Sequence, residues 1–319
     1  MKKRYTKIIG SLLVIAAVAL AAASQYMLSY SLSYPQDTRE TAQKRIDRIK
    51  EQCPWTRTWM DSVYRHQAVR DTFVTMPSGY RGHALYLYAP HPTGKTAVLV
   101  HGYKTRSESM LHIAYLYNHD LQMNVLLPDL YGHGQSEGDH IQMGWKDRKD
   151  ALRWAEIADS LFSRSGHPVQ MVMHGISMGA ATTMSASGEE TPGYLKCFVE
   201  DCGYSSVWEE FSAQLKAQFG LPAFPLMYTT SLLCCLEYGW SFGEASPLEQ
   251  VKICQKPMLF IHGDKDDFVP SPMVYPLYRA KSGQKQLYIA PGSIHAKAYA
   301  DHPKEYARAV SRFVGRYLR

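Results

Sequence analysis

Hydrophobic and polar positions change rhythm several times along the chain. Residues 8–23 form a nearly unbroken apolar run, from Ile8-Ile9-Gly10-Ser11-Leu12 to Ala21-Ala22-Ala23, behind a basic start. Residues 37–66 are polar, with Ala42, Ile46, Ile49 and Cys53 at helical spacing. Pro54 divides this stretch into two short helices. From residue 67 onward, short apolar runs alternate with longer amphipathic ones. Strands are predicted over Val69–Thr75 and His83–Tyr88, joined as a hairpin through 77–82, then over Thr96–Val100, Asn124–Leu127, Val169–Met173, Cys197–Glu200, Met258–Ile261 and Gln286–Ile289. Helices are predicted over 107–119, over 145–164 with Leu152, Ile157, Ala158 and Leu161 on one face, from Ser177 onward, and from Pro303 with Tyr306, Val310, Phe313 and Tyr317 inward. Such alternation implies an α/β fold with a mostly parallel sheet covered on both faces.

Residues 205–247 interrupt the alternation. They carry Trp208, Phe211, Leu215, Phe219, Phe224, Leu226, Met227, Tyr228 and Trp240, too long and too apolar a stretch for a loop. We read them as a helical cap over the C-terminal edge of the sheet. The expected division is a leader over 1–34, a helical stem over 35–66, and a catalytic domain over 67–319 with the cap at about 205–247.

The leader has a positive start, Lys2, Lys3, Arg4 and Lys7, ahead of its apolar run. That arrangement targets a chain to a membrane. Counted through Tyr26, Met27 and Leu28 the run reaches about 20 residues, enough to span hydrocarbon. Ala21-Ala22-Ala23 before Ser24 also fits a cleavage site, so a signal anchor and a removed signal peptide both stay open. The membrane contact is placed at residues 8–28, and the positive-inside rule sends the rest of the chain out of the cytoplasm. A cleaved chain would be secreted or periplasmic.

The formal net charge of +6 owes much to the four basic leader residues, and the rest of the chain is close to balanced. No basic stripe with interleaved aromatics is present, so nucleic acid is not an expected partner. Cys53, Cys197, Cys202, Cys234, Cys235 and Cys254 show no zinc-like spacing. Both disulfides and buried free thiols remain open for them. His112, His119, His140 and His167 form no metal-binding spacing, and there is no glycine-rich phosphate loop. Neither a metal nor a cofactor is expected.

Chemistry concentrates elsewhere. Gly175-Ile176-Ser177-Met178-Gly179 matches G-x-S-x-G between a predicted strand and a predicted helix. A serine hydroxyl is a poor nucleophile until a base takes its proton and an acid orients that base. His295, in the turn-rich loop Pro291-Gly292-Ser293-Ile294-His295, is the expected base. Asp266, within the cluster Asp264, Asp266 and Asp267, is the expected acid, with Asp201 in reserve. An oxyanion needs two backbone N–H donors. Met178 supplies one, and Tyr103, after His101-Gly102, is expected to supply the other. His101 reads as structural.

These motifs resemble the α/β-hydrolase superfamily, particularly its monoacylglycerol-lipase-like and serine-aminopeptidase-like branch. The resemblance rests on His101-Gly102, Asp129-Leu130-Tyr131-Gly132-His133-Gly134-Gln135-Ser136, the Ser177 elbow, and His262-Gly263 through Asp266 to Val269-Pro270, in that order over about 200 residues. It implies the α/β-hydrolase fold with a cap, and a structural turn at 129–136 that leaves His133 neither ligand nor base. The elbow departs from the usual pattern at His174. The leading expectation is a serine hydrolase that cleaves a carboxylic ester or related acyl bond through an acyl-enzyme on Ser177. Its partner would be a small acyl substrate, of lipophilic character if the cap lines an acyl pocket. One alternative is an exported peptidase acting on short peptides, although Glu209, Glu210, Glu237 and Glu244 read as solvated helix charges. The other is a non-catalytic binding protein on the same scaffold.

Overall fold

The computed structural model describes residues 2–34, 41–163 and 168–318. The start of the stem and His167 lie outside the described residues, and so does the last position of the helix expected over 145–164.

Eight strands form one sheet in the order β1-β2-β4-β3-β5-β6-β7-β8. They are β1 (Arg70–Thr75), β2 (Arg81–Leu87), β3 (Lys95–Val100), β4 (Asn124–Pro128), β5 (Gln170–Ile176), β6 (Leu195–Asp201), β7 (Met258–Gly263) and β8 (Lys285–Ala290). β1 and β2 pair antiparallel, as do β2 and β4, and every later pair is parallel. The hairpin falls where the sequence puts it, with Gly79 at φ +92° in the turn.

The central strands are apolar on both faces, as a covered parallel sheet requires. In β3, Val98 and Val100 join one core while Ala97 and Leu99 join the other. This is the two-residue period of a strand. The first core holds α5 (Asp147–Phe162), α6 (Met178–Ser187) and the helices α7 (Val207–Phe219), α8 (Leu226–Tyr238) and α9 (Pro247–Ile253). The second holds α2 (Ala42–Gln52), α3 (Arg57–Arg65), α4 (Leu111–Ala114) and, after α10 (Val274–Ala280) and α11 (Ala298–Asp301), the closing helix α12 (Pro303–Val314).

Three features differ from the sequence reading. β5 runs past His174 to Ile176, so the strand delivers the chain directly to Ser177. The helix expected over 107–119 is broken into a 3-10 turn, α4, and a wider turn over Tyr115–Asp120. The two helices read as a stem do not stand off the domain: Ile46, Trp59, Met60 and Val63 are buried in the second core.

The leader forms one helix, α1 (Lys2–Leu32). Within Tyr5–Leu32 an 18-residue stretch reaches a mean hydropathy of 2.1, and the helix is long and apolar enough to cross a membrane by length and composition. Its end is part of the globular body, because Leu28 and Leu32 are buried in the first core. All six cysteines are free thiols, five of them buried and Cys235 exposed.

Candidate active site

The elbow is built by steric necessity. Ser177 sits at φ 58°, ψ −120°, a region that L-residues avoid unless their surroundings hold them there. Its N–H donates to the Asp201 carbonyl at 2.8 Å, and its carbonyl receives the Ala181 N–H at 3.0 Å. A Cβ at Gly175 would overlap the Gly179 carbonyl, and one at Gly179 would overlap the Val100 carbonyl. Both positions therefore demand glycine.

Three side chains from three loops meet at this edge of the sheet. His295 Nε2 lies 2.8 Å from Ser177 Oγ, and His295 Nδ1 lies 2.7 Å from Asp266 Oδ2. Asp266 also accepts the N–H groups of Phe268 and Val269 on Oδ1, at 3.1 and 2.9 Å. Burial pushes the Asp266 carboxyl up, but hydrogen bonds from His262 and His295 outweigh burial, and its pKa lies below the ordinary carboxylate value. An ionised carboxylate only accepts, so Nδ1 carries the imidazole proton and Nε2 presents its lone pair to the serine hydroxyl.

The other acids are not joined to this chain of bonds. Asp264 accepts the Gly292 N–H at 2.6 Å, and Asp267 is exposed. Asp201 accepts the Tyr306 hydroxyl at 2.8 Å. A participant the sequence reading did not single out is His262, whose Nε2 lies 3.0 Å from the Val269 carbonyl and 3.3 Å from Asp266 Oδ2. It is fully buried and holds both the acid and the loop that carries it.

Gly102 approaches the elbow so closely that a Cβ there would sit 3.3 Å from both Ile176 O and Ser177 Cβ. The Gly102 carbonyl is tied back by Thr105 Oγ1 at 2.8 Å and His101 Nδ1 at 2.8 Å. In a trans peptide the C=O and N–H point opposite ways, so anchoring that carbonyl aims the Tyr103 N–H away from those anchors. His101 Nε2 accepts the Leu130 N–H at 3.0 Å, so the imidazole joins two loops and is structural. The Met178 N–H opens α6, where the helix dipole presents partial positive charge.

The 129–136 turn is scaffold. Asp129 is buried and accepts from Ser107 N at 2.7 Å, Gln135 N at 2.9 Å and the His83 ring at 2.7 Å. His133 stacks on Tyr34 and packs at a tilt against His101. His174, where the elbow departs from the family pattern, is buried between the Tyr117 and Tyr306 hydroxyls at 3.1 Å each. Burial pushes its pKa down to about 3, so it stays neutral. Cys202 Sγ lies within 4.8 Å of donor atoms of Asp266 and His295, but burial holds its thiol protonated.

Two cavities meet at Ser177. One is an apolar slot of about 90 Å³, whose lining includes Tyr103, Met178, Phe211, Leu215 and Met227. The other is larger, about 750 Å³, and is lined by Arg45, Arg48, Lys104, Arg106 and Lys297, with Asp267 the acidic member. Glu210, read from sequence as a solvated charge, is instead 3% exposed and lines the slot. Burial raises its carboxyl to about 8.

Comparison with known proteins agrees with this architecture. The protein YqkD of Bacillus subtilis is 31% identical over 250 residues, covering 78% of this chain and 80% of that one. Protein Rv2307c of Mycobacterium tuberculosis is 26% identical over 250 residues, 77% of this chain and 79% of its own. Among solved structures, the Pyrococcus furiosus esterase Pf2001 superposes with a TM-score of 0.62 at 19% identity, over 79% of this chain and 93% of the esterase. A Mycobacterium tuberculosis puromycin-hydrolyzing peptidase gives 0.59 at 20% identity, over 78% of this chain and 39% of the peptidase. Residues 97–309 match the model of the alpha/beta hydrolase family, and the chain belongs to that family.

Proposed function

We propose that the protein is a serine hydrolase that cleaves a carboxylic ester through an acyl-enzyme on Ser177. The observation that carries this reading is the continuous hydrogen-bonded chain from the Ser177 hydroxyl through His295 to Asp266 on a strained elbow. Ser177 Oγ attacks the acyl carbon as its proton passes to His295 Nε2. Asp266 holds the imidazole in the required tautomer and supports the imidazolium. The N–H groups of Tyr103 and Met178 receive the negative charge of the tetrahedral oxygen. His295 then gives its proton to the leaving alcohol, and water activated by the same imidazole releases the acid.

The cavities suggest how substrate lies across Ser177. The slot suits an apolar acyl chain, and the basic chamber suits an alcohol half that carries negative charge. A second reading, a peptidase that holds a free amino group, is favoured by one feature, the Glu210 carboxyl in the slot. An ammonium ion there would ionise Glu210, but alone its raised pKa keeps it largely neutral at pH 7.

A panel of p-nitrophenyl esters of rising chain length, set against aminoacyl p-nitroanilides, tests the proposal. We expect ester turnover that Ser177→Ala removes. Preferential turnover of the anilides would favour the peptidase. No turnover of either by folded protein would favour a binding role on a hydrolase scaffold.

A further inference from the structure

The end of α1 both anchors and shapes the site. From Tyr5 to Ala19 the helix is exposed on all sides. From Leu20 onward one face recedes: Leu20, Ser24, Met27, Leu28, Ser31 and Leu32, at the spacing of a helix packed on one side. Ser24 Oγ lies 2.6 Å from Thr229 Oγ1 of α8, and the Tyr30 hydroxyl donates to Gln218 of α7 at 2.7 Å. The Tyr103 hydroxyl donates to the Ser31 carbonyl at 2.6 Å, next to the elbow. Met27, Tyr30 and Ser31 line the same apolar slot as Ser177.

Helix length sets the depth of this contact. The fully exposed stretch, residues 5–19, is about 22 Å long at 1.5 Å per residue. The hydrocarbon layer is about 30 Å thick and takes about 20 residues. Counted from Lys7, the last cation of the leader, that length runs to Met27. A spanning α1 therefore stays in hydrocarbon through the turns that dock on α8, and α8 must lie at the same depth.

The outward side of α8 has the matching chemistry. Tyr228, Leu232 and Leu236 follow one another at four-residue spacing, 58, 58 and 72% exposed, and Phe224 just before them is 73% exposed. No charged residue occurs between Lys216 and Glu237. Such a face in water would be an unusually apolar patch. Beside a spanning helix it is a lipid-facing one, with Tyr26 and Tyr30 at the level where aromatic side chains favour the membrane interface.

We propose that α8 and the α7–α8 turn lie in the leaflet on the catalytic-domain side, beside α1, and that the slot receives one acyl chain of a membrane lipid ester directly from that leaflet along Met27 and Tyr30. This inference rests on the acyl-hydrolase reading for its chemistry, but the seating of α8 is independent of it.

Two measurements separate those parts. The full chain is reconstituted in phosphatidylcholine vesicles whose acyl chains carry bromine, and Leu232→Trp is introduced on α8. We expect bromine to quench a large share of the fluorescence this tryptophan adds over the parent protein. Unquenched emission, or a dimer that shields the tryptophan from lipid, would overturn the seating whether or not the protein is an esterase. Intact mass must show the leader retained, and a mature chain starting at Ser24 would overturn the path along a spanning helix.

Delivery is then read by hydrolysis of a long-chain monoacyl ester embedded in vesicles against soluble p-nitrophenyl butyrate. The double variant Leu232→Asp, Leu236→Asp should lose about tenfold or more on the embedded ester and stay within about twofold of the parent on the butyrate. Equal loss on both substrates, or on neither, contradicts delivery from the leaflet. If the parent protein fails to hydrolyse even the butyrate, the acyl-hydrolase reading has failed, and the quenching result still decides the seating.

Discussion

The two cavities beside Ser177 are opposites in origin as well as in chemistry. The slot is walled mainly by helices, α1, α7 and α8, whose apolar side chains face one another. The basic chamber is walled largely by loops and by α2, with Lys104 and Arg106 following the oxyanion loop and Lys297 following His295. Binding in such a slot would rest on buried apolar area, which salt affects little. Binding in the chamber would rest on partly solvated charges, which salt screens beyond about 10 Å at 0.1 M. Under the proposed acyl-hydrolase reading, the acyl chain lies on one side of Ser177 and the alcohol on the other, and each side can be tested.

The largest effect is expected behind Ser177, which lines both cavities. Asp266→Asn would place an amide against His295 Nδ1 and favour the tautomer in which Nε2 carries the proton. We expect kcat to fall by about 10³–10⁴-fold on every ester, whatever its chain or charge. Steady-state kinetics of the purified variant checks it. A loss confined to one substrate class would mean that Asp266 serves recognition and not the imidazole.

The next effect should fall on the slot alone. Leu215 is 3% exposed in its lining, so Leu215→Trp should fill the space that a long chain would use. We expect kcat/KM for dodecanoyl esters to drop about 10–100-fold while butanoyl esters change little. A uniform loss along the p-nitrophenyl ester series would remove the slot as the acyl site.

Glu210 sharpens the comparison through pH. Its folded pKa of about 8 lies above the ordinary 4.5, so the folded state holds a proton that the unfolded chain releases. Stability is therefore whole below about pH 4.5 and declines as pH rises toward about 8. Glu210→Gln should be neutral near pH 4 and should raise stability at pH 8 by on the order of 1–3 kcal/mol. Urea unfolding at the two pH values reads this. The smallest effect is expected in the basic chamber, where Lys297→Ala should raise KM about two- to fivefold for esters of anionic alcohols at low salt and do nothing at 0.5 M salt. Equal effects on neutral alcohols would contradict the chamber's assignment.

What was legible in the sequence follows from how local each signal is. The elbow could be read because Gly175, Ser177 and Gly179 obey a steric rule within five residues, and the alternation of strands and helices made the sheet legible in the same way. Asp266 stood out only as one of three neighbouring aspartates, since which of them turns inward depends on the Phe268 and Val269 N–H groups that it accepts. Two features had no local signal. Glu210 follows Glu209 in one helix, and burial depends on which face α7 lays over the sheet. The docking of α1 was hidden because a helix apolar all round has no periodicity to mark a contact face.

Every role proposed for the site depends on Ser177 being the activated nucleophile. The most direct measurement is labelling of the intact protein with a fluorophosphonate, followed by peptide mass mapping. We expect one adduct, on the peptide containing Ser177, absent in Ser177→Ala and much slower in His295→Ala. Folded protein that stays unlabelled, or an adduct on another residue, would contradict it.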